Sequence, residues 1–154
     1  MADDNFDEFI KKLEYLEEDI KKVGRQVVNR AINEGMAVTI KATPKGEYSA
    51  DVFFMTRSGK QVHFKRKFVP QGGTLQKGWI STPAIMTSTG WKGEYSNNVE
   101  YGFWVNFGHR VVVDGETAGY VPGHFFLEAG VEHMKRNLNR YFASEIKNIR
   151  GNWK

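Results

Sequence analysis

The residues best suited to chemistry are four histidines, His63, His109, His124 and His133, and a scatter of acids. None of the histidines pairs with a carboxylate at ligand spacing such as H-E-x-x-H. His63 falls on the outward side of an alternating strand, and His133 lies off the apolar stripe of the last helix. His109 and His124 flank one loop. Hydrogen-bonding or surface positions suit all four better than a metal site, because divalent ions are held by clustered ligands. The chain has no cysteine, so disulfides and thiolate sites are excluded. Glu94, Glu100, Asp114 and Glu116 could act as paired acids only if two of them faced one cleft, and their spacing dictates no such cleft. Gly72-Gly73-Thr74 lacks the Lys-Ser/Thr of a phosphate cradle, and neither G-x-S-x-G nor a dinucleotide fingerprint occurs. No catalytic residue, metal site or cofactor is therefore expected.

The most asymmetric charge pattern lies elsewhere. Arg57, Lys60, Lys65, Arg66 and Lys67 follow one another with no acid between them, beside Phe64 and Phe68. Basic and aromatic residues on one strand can hold single-stranded nucleic acid. Lysines also guard an exposed strand against edge pairing. The formal charge of the chain is only +4, less than a dedicated nucleic-acid binder usually carries. These five residues are assigned to partner binding, and a small nucleic-acid-binding module is the rival reading. A third reading, a hydrolase built on His109 and a nearby acid, has less behind it.

The elements that must position these residues follow from periodicity. From Asp4 to about Asn33 apolar residues recur at three- and four-residue steps, which predicts a long helix. Acids lead and Lys and Arg follow, as the helix dipole favours. Gly35 suits a C-terminal stop. Thirty residues give a rod of about 45 Å, long enough that its outer end needs a partner. Residues 48–69 alternate as a β-hairpin turning at Arg57-Ser58-Gly59-Lys60. Pro83–Thr89 and Trp91–Ser96 read as two further strands joined near Gly90. Val99–Phe107 reads as a short amphipathic helix, and Arg110–Val121 as a loop or small hairpin around Asp114-Gly115. Phe125–Ile149 is a second long helix with a stripe of Leu127, Val131, Met134, Leu138, Phe142, Ile146 and Ile149. Gly130 on it marks a close backbone approach or a weak spot. The order implies an α+β fold, a mainly antiparallel sheet packed by a long N-terminal and a long C-terminal helix.

At 154 residues a single domain, 1–154, is expected. The hydrophobic fraction of 40% is that of a globular chain. Aromatics at 14% favour aromatic contact surfaces. No apolar run approaches the roughly 20 residues that span a bilayer, and the acidic N-terminus does not suit a signal peptide. No membrane association is expected.

One phrase is denser than the rest: Asn97-Asn98-Val99-Glu100-Tyr101-Gly102-Phe103-Trp104-Val105-Asn106-Phe107-Gly108-His109-Arg110, then Val121-Pro122-Gly123-His124-Phe125-Phe126-Leu127. Gly108 ends a short helix, and Pro122 and Gly123 set the entry into the last one. Trp79, Tyr101, Phe107 and Phe125 sit at apolar positions of their local patterns and are expected to be buried in one core. Together with Gly108, His109, Arg110, Pro122 and Gly123 they form the structural motif of the chain.

This phrase resembles the head–tail joining, or tail-completion, proteins of long-tailed bacterial viruses. That family carries a phrase close to N-N-V-E-Y-A-x-Y-V-E-Y-G-H-R, and then V-x-G-R-F-M-L opening a final helix. Here His124 replaces the Arg. The family's T-P-x-D-T-G-x-L-R-R-S-W is matched in two halves, by Thr43-Pro44 and by Gly73-Thr74-Leu75-Gln76-Lys77-Gly78-Trp79. Between the halves stands the basic hairpin, where the family often has only a couple of residues. The resemblance implies a non-enzymatic virion protein, assembled in the bacterial cytoplasm. It implies a ring of self-associated subunits, six by analogy, between the tail tube protein and a head connector or stopper protein. Genome DNA would pass through the lumen.

Overall fold

The computed structural model describes residues 2–151 except 57 and 70, with side chains from residue 7 to 149 save that of Phe54. Helix α1 (Ala2–Ala42) is the spine. Its exposed flank carries ion pairs one turn apart, Glu8–Lys12 at 2.8 Å, Glu17–Lys21 at 2.5 Å and Arg30–Glu34 at 2.9 Å. Each such pair is worth a few tenths of a kcal/mol to a helix. The helix does not stop at Gly35. It runs on to Ala42, and the Thr43 N–H donates to the carbonyls of Thr39 and Ile40 before Pro44 breaks the pattern.

Gly35 survives inside the helix because of what crosses it. The second long helix, α4 (Phe126–Gly151), packs antiparallel on the C-terminal half of α1. Gly130 of α4 meets Gly35 there: a Cβ on Gly130 would strike Thr39 Oγ1 and the Gly35 carbonyl. The close backbone approach expected at Gly130 is present. Further along the crossing, Val23, Val27, Ala31 and Tyr141 form the buried cluster, flanked by Met134, Ile146 and Ile149. Each buried valine of this cluster contributes about 1.5–3 kcal/mol.

Among the described residues the strands form three separate antiparallel pairs. β1 (Asp51–Met55) and β2 (Gln61–Lys65) make the first hairpin, with Phe53 opposite His63. The Thr56 N–H donates to the Lys60 carbonyl, and Gly59 takes a φ of 78° in the turn. A four-residue helix, α2 (Thr74–Lys77), follows. β3 (Trp79–Thr87) and β4 (Gly90–Asn97) lie on α1. Their register slips between Thr82 and Ile85, the bulge that Pro83 requires. The Ala84 N–H freed there donates to Asn29 Oδ1 of α1 at 2.7 Å. The short helix α3 (Gly102–Phe107) leads into the last hairpin, β5 (Gly108–Val113) and β6 (Glu116–Pro122). Asp114 and Gly115 take φ of 53° and 84° at its tip, the twist a two-residue hairpin turn needs.

The fold is α+β, with long N- and C-terminal helices and antiparallel strand pairs, as the sequence implies. Its strands are distributed as three hairpins rather than joined into one sheet. The middle pair is the one that packs extensively on helix α1 among the described residues.

Candidate interaction surfaces

The dense phrase of the sequence builds a corner around Asn106. This side chain is 3% exposed, and both its amide nitrogen and its amide oxygen are hydrogen-bonded. Its Nδ2 donates to Glu128 Oε2 at 2.9 Å, and its Oδ1 accepts the Leu127 N–H at 3.0 Å. Asn106 therefore caps helix α4 from outside its own chain segment, a role usually held by the residue just before a helix. The backbone repeats the link: the His124 N–H donates to the Val105 carbonyl and the Phe125 N–H to that of Asn106. Pro122 pairs with Gly108 at the base of the last hairpin, and Gly123 lies against the Asn106 carbonyl. Gly108, with φ 81°, lets α3 turn directly into β5. His109 follows it half-buried, its Nδ1 enclosed without a hydrogen-bond partner, and Arg110 reaches Thr117 across the hairpin at 3.4 Å. Asn106 had no place in the motif as read from sequence. The signal was available: a lone Asn among aromatics in a helix has to satisfy its amide somewhere.

A second polar lattice ties α1 to α2 and β3. Thr43 Oγ1 donates to the Thr39 carbonyl and accepts the Trp79 Nε1–H at 3.1 Å, while Gln76 Nε2 donates to the Thr43 carbonyl at 2.8 Å. Trp79 is half-buried and meets Tyr95 and Phe126 edge-on, with centroids 5.7 and 5.9 Å apart.

The expected single aromatic core is not what forms. Of Trp79, Tyr101, Phe107 and Phe125, only Trp79 packs inward; Tyr101, Phe107 and Phe125 are exposed, Phe125 by 54%. The buried residue is the next one, Phe126. Phe125 also holds φ 49°, a left-handed backbone that a bulky side chain rarely takes. The apolar face of α3 also points outward. Gly102 and Asn106 face the body, which leaves Phe103, Trp104 and Phe107 stacked on each other in solvent. Between this face and the body lies an open, mostly apolar hollow of about 260 Å³, lined by Trp79, Val99, Phe103, Phe107 and Leu127.

Two further projections carry the same character. On the first hairpin Lys60, Lys65 and Lys67 are exposed and Arg66 is half-buried; Arg57 lies outside the described residues. Phe53, Met55, Phe64 and Phe68 are exposed beside them. His63 approaches Asp51 across the pair at 3.3 Å. The last hairpin exposes Val112, Val113 and Tyr120. Helix α1 overhangs the end of α4 and leaves Phe9, Leu13, Leu16 and Ile20 in solvent.

The strongest electrostatic cluster joins α1 to α4. Tyr141 donates a short hydrogen bond to Glu34 Oε2, and Arg30 Nε donates to the other carboxylate oxygen at 2.9 Å. His133 Nε2 lies 3.5 Å from the same carboxylate. The tyrosine and the arginine hold the Glu34 carboxyl down at about 2, against an ordinary 4.5. Burial, and then Glu34, raises the Tyr141 hydroxyl. A carboxyl whose pKa is lower when folded stabilises the fold above its unfolded pKa and loses that contribution as pH falls through the folded one. Wild type should therefore hold its advantage over Glu34→Gln above about pH 4.5 and lose it between there and pH 2. Urea midpoints of both proteins across that range check this; a constant difference would refute it. Glu34 is about one-third exposed, so solvent keeps the effect small.

Among the described residues no three His, Asp or Glu side chains gather as metal ligands, and no helix is long and apolar enough to cross a membrane. Glu94, Glu100 and Glu116 are exposed, and Glu94 pairs with Lys92 at 3.5 Å. What the molecule presents is contact surface. Fold and surfaces together define an α+β protein with two long helices and apolar projections held away from its body. A model of the family described as "Bacteriophage HK97-gp10, putative tail-component" matches residues 7–108, and the chain belongs to that family. It is thus a structural tail component of a bacteriophage, a virion protein by kind. The matched stretch includes the basic hairpin and ends at Gly108, so the Val121–Leu127 phrase lies beyond it. No curated protein and no solved structure matches the chain.

Proposed function

We propose that this tail component is a non-enzymatic ring subunit at the head-proximal end of the tail. It joins the tail tube to the head connector, with genome DNA passing through the lumen. The observation that carries the reading is surface. The chain exposes 12160 Å², whereas a folded monomer of 17.6 kDa exposes roughly 7,900 Å². The excess, about 4,000 Å², is of the size that permanent subunit interfaces cover. Much of it is apolar, on the α1 overhang, the α3 face and two hairpins. A subunit that meets neighbours on several sides supports this reading, and six copies is the number the family resemblance suggests.

Electron microscopy of the protein mixed with purified tails and with filled heads tests it. Rings seated on the head-proximal tail end are expected; protein that decorates neither would overturn the proposal. The basic hairpin gives a second test. Reversing Lys65, Arg66 and Lys67 to glutamate should leave circular dichroism unchanged, because Lys65 and Lys67 are exposed and none of the three bears on the core. Joining of tails to heads should fall several-fold at low salt, and the deficit relative to wild type should shrink at high salt, where the charges are screened. Particles completed at the wild-type rate would show the hairpin to be only a solvated edge. Salt-dependent retention of duplex DNA by purified protein would instead favour the nucleic-acid reading.

A further inference from the structure

Two of the projections are complementary. The overhanging part of α1, Asp7–Ile20, holds six carboxylates against two lysines. Its apolar stripe of Phe9, Leu13, Leu16 and Ile20 is exposed. The first hairpin, from Asp51 to Phe68, holds five basic residues against one acid. Its Phe53 and Met55 are exposed on the face that also carries Lys65. Each surface thus has an apolar strip edged by one sign of charge, and the net charges are −4 and +4.

The two do not pack on each other within the subunit: α1 packs chiefly on α4, β3 and β4. The hairpin's own packing is chiefly internal, strand on strand.

We infer that the acidic α1 overhang of one copy docks on the basic, aromatic hairpin of a second copy. An acidic surface suited to the basic hairpin is present on this chain itself. The contact is head-to-tail, since it joins two different surfaces, and such contacts close into rings when the rotation between copies allows. The inference rests on the ring reading above and names the surfaces that would make the ring. Apolar strips hold the pair together; the opposite charges fix its register and speed the encounter.

Reciprocal charge reversal tests it. One variant carries Glu14→Lys and Glu18→Lys, the other Lys65→Glu and Lys67→Glu, both checked for folding by circular dichroism. Sedimentation at low ionic strength should show each variant associating about tenfold or more weakly than wild type. An equimolar mixture of the two should recover association, because each variant's reversed surface then finds an opposite charge. Unchanged association in either variant, or no recovery on mixing, would overturn the inference. A covalent trap decides the matter even if reversible association is weak. The chain lacks cysteine, so Leu16→Cys combined with Phe53→Cys, on the Lys65 face of the hairpin, provides only two thiols. A bis-maleimide should link them into a ladder of multimers, in concentrated protein and in assembled tails. Monomer alone in both would overturn the inference. Rings seen by microscopy without the ladder would sink this contact and leave the ring reading intact; a ladder without rings on tails would do the reverse. DNA binding lost in the hairpin variant while the ladder persists only with DNA present would assign the hairpin to nucleic acid instead.

Discussion

Tyr141→Ala is expected to destabilise the protein by about 3–5 kcal/mol, the usual result of emptying a buried aromatic site. Tyr141 is the largest fully buried side chain, with no exposed surface, at the centre of the α1–α4 contact. The Arg30 guanidinium lies 4.7 Å above its ring, and its hydroxyl bonds to Glu34. Removing the ring opens a cavity between two helices that meet mainly along this seam, and leaves Glu34 without its strongest partner. Tyr141→Phe separates the two losses. It keeps the ring and should cost only about 1.5–3 kcal/mol, the range for a hydrogen bond to a charged group. Urea unfolding with an unchanged slope measures both. A loss below about 1 kcal/mol for the alanine variant would mean that the helices are held elsewhere.

Gly130→Val should cost about 3 kcal/mol or more, at the upper end of what overpacking usually does. The collision it creates is with backbone, the Gly35 carbonyl, as well as with Thr39 Oγ1. A hydroxyl can rotate away; a carbonyl in the middle of a helix cannot move without the helix. Adding Thr39→Ala should therefore recover only part of the loss. It would also free Tyr95, whose hydroxyl lies 3.1 Å from that threonine. Full recovery in the double variant would place the strain on the side chain alone. Full additivity would show that the two sites do not touch.

Local geometry was well written in the sequence. Arg57-Ser58-Gly59-Lys60 and Asp114-Gly115 each marked a hairpin turn, and Gly90 marked the junction of the middle strands, although β3 begins at Trp79 rather than Pro83. Long-range geometry was not. Gly35 looked like a helix stop because a glycine at that place usually is one; only the position of Gly130 in space shows why it lies mid-helix. The stripe on α4 was real but mixed two faces. Met134, Ile146 and Ile149 turn toward α1, while Leu138 and Phe142 turn to solvent and Tyr141, off the stripe, is the buried one. Periodicity reports where a helix is apolar. It does not say whether the apolar face meets its own chain or another. The same ambiguity turned Phe107 and Phe125 from core residues into surface ones.

The α1 helix is also a lever. Its free arm begins where the buried seam ends, at Val23, and Phe9 lies about 21 Å out along the rod. A tilt of about 5° there swings that tip by about 2 Å. A change too small to disturb the crossing itself would thus be magnified at the far end. A set of such rods arranged around an axis could widen or narrow its outline by several ångströms with no subunit repacking. Measuring the tip-to-crossing angle in copies seated on tails, against free copies, would show whether the lever moves.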